Sequence, residues 1–206
     1  MRLRTEQHAP QTLGLGNLTR LYLLKTGQTV WERQGRVDSS AGEPLTELGR
    51  SEVAAAMPDL ADTHIRAVYA GAGEAETETA KMIADRLGVK VHKYKDLREL
   101  DYGLWQGLTT EEIKRRQPKV YRQWVSAPHS VRPPEGETLA EARKRLVSAA
   151  RRIVKRHKGA AAVVVCRPVA LAILKCELGD MPLDTLWQQL GDDAGCVSFD
   201  TDEKSL

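Results

Sequence analysis

The sequence predicts an α/β fold: a three-layer α/β/α sandwich around a largely parallel central sheet. Three observations predict it. Leu21 to Leu24 and Ala160 to Cys166 are short apolar runs without alternation that stop at polar residues, the pattern of strands covered on both faces. Strand-like and helix-like stretches alternate along the chain, an order that builds right-handed βαβ units. The length of 206 residues is enough for one sizeable core and does not require a second domain. Residues 1–18 carry Gln, His, Pro and Gly without periodicity and read as a loosely held leader, so a single domain is expected over 19–206.

Leu21-Tyr22-Leu23-Leu24 is the first strand, and its polar tip is Lys25-Thr26-Gly27-Gln28-Thr29. In open α/β sheets, ligands bind in the crevice beyond such carboxyl ends. Residues 30–45, rich in Gly, Ser, Arg and Asp, read as a loop closed by Pro44-Leu45. Thr46 can cap a helix to about Leu60, with Leu48, Val53, Ala56 and Leu60 spaced to cover a core. Ile65 to Ala70 is a second strand, Glu76 to Leu87 a helix stopped by Gly88, and Val89 to His92 a third strand. Tyr94 to Leu108 reads as a loop. Thr109 with Glu112 forms a capping box for a basic helix to Gln117, where Pro118 interrupts, and a further helix is expected over 120–125. Pro128 to Gly136 is a proline-rich loop. Thr138 with Glu141 opens a long helix with Leu139, Ala142, Leu146, Ala149 and Ile153 on one face, ended by Gly159. Arg167 stands at the tip of the run ending at Cys166, Pro168 takes the first turn of a helix to Leu178, and Cys196 to Phe199 reads as an edge strand.

Composition excludes several roles. The 31 basic and 28 acidic residues are mixed along the chain, so the formal net charge of +3 creates no field suited to nucleic acid. Cys166, Cys176 and Cys196 show no framework spacing and no CxxC, which fits a reducing compartment and small buried hydrophobes. The charged start Met1 to Glu6 lacks the apolar segment of a signal peptide, and the apolar stretch Ala160 to Leu174 is cut by Arg167-Pro168, so a cytoplasmic location without membrane contact is expected. No metal or cofactor is expected. Gly71-Ala72-Gly73 imitates a dinucleotide fingerprint, but Glu74, Glu76 and Glu78 would crowd the helix N-terminus where a pyrophosphate must sit.

Several separated stretches, in order, carry a family resemblance covering roughly Leu21 to Gly179. Lys25-Thr26-Gly27-Gln28-Thr29 with Trp31-Glu32 resembles the Arg-His-Gly-Glu/Gln-Thr…Trp-Asn signature of the histidine phosphatase superfamily, which includes the phosphoglycerate mutases. Pro44-Leu45-Thr46 with Gly49, Glu99-Leu100-Asp101-Tyr102-Gly103 with Trp105-Gln106-Gly107, and Pro134-Glu135-Gly136-Glu137-Thr138 are similar to further stretches of that family. The resemblance implies a phosphoglycerate mutase-like fold, with Glu99 at the position of the family's general acid.

At the other site positions the chain departs from the family. Thr26 stands where the resemblance implies the phosphoryl-accepting histidine, Arg167 where it implies the second histidine, and Ala75 where a phosphate-binding arginine is implied by the stretch Tyr69 to Glu76, resembling Tyr-Ser-Ser-Pro-Leu-x-Arg-Ala. Glu32 replaces the asparagine after Trp31. An imidazole attacks phosphorus without activation, whereas a threonine hydroxyl needs a neighbouring base, and Glu99 is the one candidate. His8, His64, His92, His129 and His157 all lie outside the motif positions.

The residues therefore imply a degenerate member of the family, a pseudo-phosphatase without an intact catalytic set, with Thr26, Glu99 and Arg167 as vestigial positions. Its expected role is to bind a small anionic or phosphorylated ligand weakly through Lys25, Thr26, Gln28, Glu99 and Arg167, or to contact a protein partner. The alternative is an active phosphomonoester hydrolase or mutase with an altered site. A plainer outcome is equally open: Lys25 and Arg167 pairing with Glu32 or Glu99, Thr26 a satisfied strand-end hydroxyl, Glu99 held by local hydrogen bonds, and Trp31 and Trp105 packing the loops that line the pocket.

Overall fold

The computed structural model describes residues 16–38, 42–61, 64–190 and 195–206. Most of the expected leader, including His8, lies outside the described residues. Among these residues five strands form one sheet: β1 (Thr19–Lys25), β2 (Ile65–Ala70), β3 (Lys90–Lys93), β4 (Ala161–Cys166) and β5 (Cys196–Thr201), in the order β3-β2-β4-β1-β5. The first four run parallel, and β5 closes one edge antiparallel to β1. Lys25 lies opposite Cys166, so the ends of β1 and β4 come side by side.

The strand β1 alternates between two cores. Leu21 and Leu23 face one apolar cluster, and Tyr22 and Leu24 the other. Among the described residues seven α-helices accompany the sheet: α1 (Val30–Arg33), α2 (Glu47–Ala56), α3 (Glu74–Leu87), α4 (Thr110–Arg116), α5 (Pro118–Ser126), α6 (Leu139–Arg156) and α7 (Pro168–Leu178). Val53 and Ala56 of α2 and Ala80, Ile83 and Ala84 of α3 cover one face. Leu146, Ala149 and Ile153 of α6 and Ile173 of α7 cover the other. This is the three-layer α/β sandwich that the alternating pattern predicts.

Local signals set the element ends. Both capping boxes form: Thr109 accepts from the Glu112 amide and Thr138 from the Glu141 amide, while each glutamate returns a bond to its cap. Gly88, in the left-handed region at φ 67°, stops α3. Pro168 occupies the first turn of α7, where its missing N–H has no acceptor to lose.

Five expectations need correction. The 30–45 stretch is not all loop, because Thr29 caps the single turn of α1 by accepting from the Glu32 amide. Leu48 is 56% exposed, since the buried stripe of α2 runs through Gly49, Val53 and Ala56 and leaves the preceding position facing outward. The α3 helix begins at Glu74, two residues earlier than read, and Pro118 starts α5 rather than merely breaking a helix. The 94–108 loop contains 3₁₀ turns at Lys95–Leu97 and Gly103–Trp105.

Candidate functional site

The tip of β1 is closed by its backbone. The Thr26 amide donates to the Cys166 carbonyl at 2.9 Å, and the chain at Gly27 lies against Gly49 so tightly that a Cβ on Gly27 would sit 2.7 Å from the Gly49 carbonyl carbon. Only a glycine pair permits that approach. Thr26 is 1% exposed, and its hydroxyl has no hydrogen-bond partner among the described residues. Lys25 donates to Glu32 at 2.9 Å, which realises the ion pair weighed for it from sequence. Gln28 turns toward α2: its amide donates to Glu52, and its side-chain oxygen accepts from Thr46.

The tip of β4 is built differently. Arg167 is 3% exposed, and its Nη2 donates to both the carboxylate and the carbonyl of Asp38. Its remaining Nε and Nη1 groups are closed to solvent. The partner is thus Asp38, within the stretch read only as a loop, and not Glu32 or Glu99. Burial opposes the charge on Arg167, but the carboxylates of Asp38, Glu99 and Glu76 outweigh it and hold its pKa above the usual arginine value.

Glu99 caps the start of α7. One oxygen accepts from the Val169 amide at 2.8 Å, and the other from Ala170 at 2.9 Å and from Leu100. The free N–H groups and positive end of a helix favour a carboxylate there. Burial has the larger influence and pushes Glu99 up to about 7, against the lowering by those amides and by Arg167. The local hydrogen bonding expected for Glu99 is therefore present, and Thr26 is not among its partners. Arg145 of α6 fixes this loop by donating to the carbonyls of Asp96, Arg98 and Glu99 while pairing with Glu137.

Sequence reasoning missed Glu76 as well. Its carboxylate is 3% exposed and folds back over the Gly71–Gly73 turn, where a Cβ on Gly73 would meet the carboxylate carbon at 2.9 Å. Burial raises its pKa, and Arg167 opposes the rise. Its position was a usable signal, since an acid stands where the resemblance implies an alanine, directly after the position where it implies an arginine.

Above the β4 tip opens a cavity of about 490 Å³, lined by Glu32, Asp38, Glu99 and Arg167 at its polar side and by Tyr102, Tyr121, Trp124, Val125, Trp187 and Leu190 elsewhere. The structure thus brings Glu99 and Arg167 together at the crevice, while Thr26 and Gln28 are not part of its lining. Trp31 and Trp105 pack as expected, Trp31 over Gly107 and Trp105 edge-on to Trp124, yet neither lines the cavity. The aromatic wall comes instead from Trp124 and Trp187, whose rings meet edge to face at 5.0 Å. Among the described residues no histidine lines the cavity: His157 bonds the Tyr69 hydroxyl, His92 stacks on Tyr69 and His129 pairs with Asp184.

A three-layer α/β sandwich with its crevice where two parallel strands end side by side defines the phosphoglycerate mutase-like class of fold. Residues 21–206 match the model of the histidine phosphatase superfamily (branch 1), and the chain belongs to that family. It is 28% identical over 170 residues to phosphoserine phosphatase 1 of Hydrogenobacter thermophilus, spanning 82% of this chain and 81% of that one. It is also 28% identical over 168 residues to a probable phosphoglycerate mutase of Yersinia enterocolitica, covering 80% and 77% of the two chains. A mycobacterial glucosyl-3-phosphoglycerate phosphatase superposes with a TM-score of 0.74 at 25% identity, over 81% of this chain and 83% of that one. Among the described residues, no helix is long and apolar enough to cross a membrane.

Proposed function

We propose that this chain is a non-catalytic member of its family, a module that binds a small ligand in the crevice above the β4 tip. The observation that carries this reading is the buried Arg167–Asp38 ion pair. It occupies the position where the family resemblance implies an imidazole, and a guanidinium held by a carboxylate neither attacks phosphorus nor shuttles a proton. Thr26, at the other implied imidazole position, is sealed, and the one base that could activate it is bonded to Leu100, Val169 and Ala170. The charge balance supports the same reading. Phosphoryl transfer depends on positive charge gathered around three anionic oxygens, whereas here Lys25 and Arg167 each already face a carboxylate and Glu76 adds another nearby.

A second reading, an active phosphomonoester hydrolase or mutase working with altered residues, is favoured by the names of the relatives, which are phosphatases and a mutase. One experiment separates the two. Phosphate release from 4-nitrophenyl phosphate and from phosphoserine is measured for the unaltered chain, for Thr26→Ala and Glu99→Ala, and for a variant carrying Thr26→His, Ala75→Arg, Glu76→Ala and Arg167→His. The unaltered chain is expected to release no more phosphate than buffer. Turnover that disappears in Thr26→Ala or Glu99→Ala establishes the active enzyme.

A further inference from the structure

We infer that the crevice takes an uncharged, planar aromatic compound bearing a hydrogen-bond acceptor, seated against the Trp124–Trp187 wall with its acceptor on the Tyr102 hydroxyl. This rests on the non-catalytic reading and names its ligand class. A cavity of about 490 Å³ falls within the range of small-molecule sites. Its walls are Tyr121, Trp124, Val125, Trp187 and Leu190, and the wall is rigid: the Trp187 indole N–H donates to the Trp124 carbonyl at 3.1 Å, and Trp124 is braced edge-on by Trp105. Flat rings pack well on such faces, by stacking or edge-on contact.

The charged groups at the floor argue against an ionic ligand. Glu32 is paired with Lys25, Asp38 with Arg167, and Glu99 is bonded to backbone amides of α7. Arg36 at the mouth donates to the Gly107 carbonyl at 2.6 Å and faces Glu112 at 3.7 Å. The Nε and Nη1 groups of Arg167 are buried and have no hydrogen-bond partner among the described residues, so a ligand anion meets them only if the packing around them opens. An entering phosphate would have to displace an internal partner or sit beside Asp38 and Glu99 unpaired, and buried like charges are costly. What the cavity offers instead is Tyr102. Its hydroxyl bonds to no described residue, and burial together with the Glu99 charge raises its pKa well above the usual tyrosine value, so it remains a donor.

The matched probes are 1-naphthol and 1-naphthyl phosphate, titrated into the full chain while following tryptophan fluorescence and calorimetric heat, with phosphate release recorded in parallel. Saturable one-site binding of 1-naphthol is expected, with 1-naphthyl phosphate at least tenfold weaker. Val125→Glu places a charge at a half-exposed position of the wall without touching the core, and is expected to weaken 1-naphthol about tenfold. Tyr102→Phe is expected to weaken it about two- to tenfold, the range of one hydrogen bond. Equal or tighter binding of the phosphate ester overturns the ligand class, as does a non-saturating signal or one unmoved by Val125→Glu. Phosphate release from the ester would overturn the non-catalytic reading itself. Absence of binding by both probes with no phosphate release overturns only the ligand class.

Discussion

The tips of β1 and β4 lie side by side at one end of the sheet, each ends in a cation, and they have met opposite fates. The β1 tip is closed: Gly27 is pressed on Gly49, Thr26 is buried and Lys25 is tied to Glu32. The β4 tip opens on a cavity, where Arg167 is locked to Asp38. The comparison teaches that a scaffold and its site answer to different physical demands. Backbone packing tolerates almost no change, because interiors are filled to crystal-like density. A polar site is constrained instead by charge, since a buried charge is costly unless it is paired.

The most damaging change tests the backbone half of that contrast. Gly27→Ala drives a methyl into the Gly49 peptide, with no flexible side chain available to yield, and is expected to cost more than about 4 kcal/mol, the size that marks a severe core lesion. Urea unfolding measures it. A cost under about 1 kcal/mol would show that the β1 tip is not held as described.

The β4 tip is next. Arg167→Met and Asp38→Leu, each leaving one buried charge alone, are expected to cost about 3–5 kcal/mol apiece, while the double variant recovers most of the loss. A double-mutant cycle with purely additive costs would mean that the two side chains do not act as a pair.

Glu99 gives a smaller, pH-dependent effect. Its carboxyl is raised from 4.5 to about 7 in the folded chain, so between those pH values the folded state holds a proton that the unfolded state has released. Stability contributed by this group is therefore full below about pH 4.5, falls as the pH rises, and levels off above about 7. The expected loss is about 3 kcal/mol across that window, read as the stability difference between the unaltered chain and Glu99→Gln. Taking the difference removes the opposite slope from His92 and His157, whose pKa values are lowered by burial. Parallel stability curves for the two proteins would contradict the shift.

The smallest effect belongs to Thr26. Its hydroxyl is buried without a protein partner, so Thr26→Val, nearly isosteric, is expected to be neutral or to stabilise by up to about 1 kcal/mol and to leave 1-naphthol affinity unchanged. Thermal unfolding and the fluorescence titration check both halves. A destabilisation above about 1 kcal/mol would reveal a role for that hydroxyl in holding the tip.

Much of the scaffold was legible because its signals are short-range. The Thr109–Glu112 and Thr138–Glu141 capping boxes, the stop at Gly88 and the start at Pro168 each depend on residues within one helical turn, and all four formed where the spelling put them. The site was only partly legible. Arg167 and Glu99 were found because they sit in stretches resembling a known family, and Glu32, one of two carboxylates offered to Lys25, for the same reason. Asp38 was missed: it lies 129 residues from Arg167, in a stretch whose composition says only loop. Trp124 and Trp187 were missed as a wall because nothing in a sequence says which aromatic rings will share one face.

From sequence alone followed the alternation of strands and helices, most of their boundaries to within about two residues, and the meeting of the ends of β1 and β4 at one end of the sheet. These are consequences of backbone periodicity, capping chemistry and residue identity, which act locally. The packed fold was needed to show Arg167 neutralised by Asp38, Glu76 folded over its own glycine turn, and Thr26 sealed while an aromatic cavity stays open above the β4 tip. Those outcomes depend on which distant charges and rings share a low-dielectric interior, where each buried charge must find its counterpart across the fold.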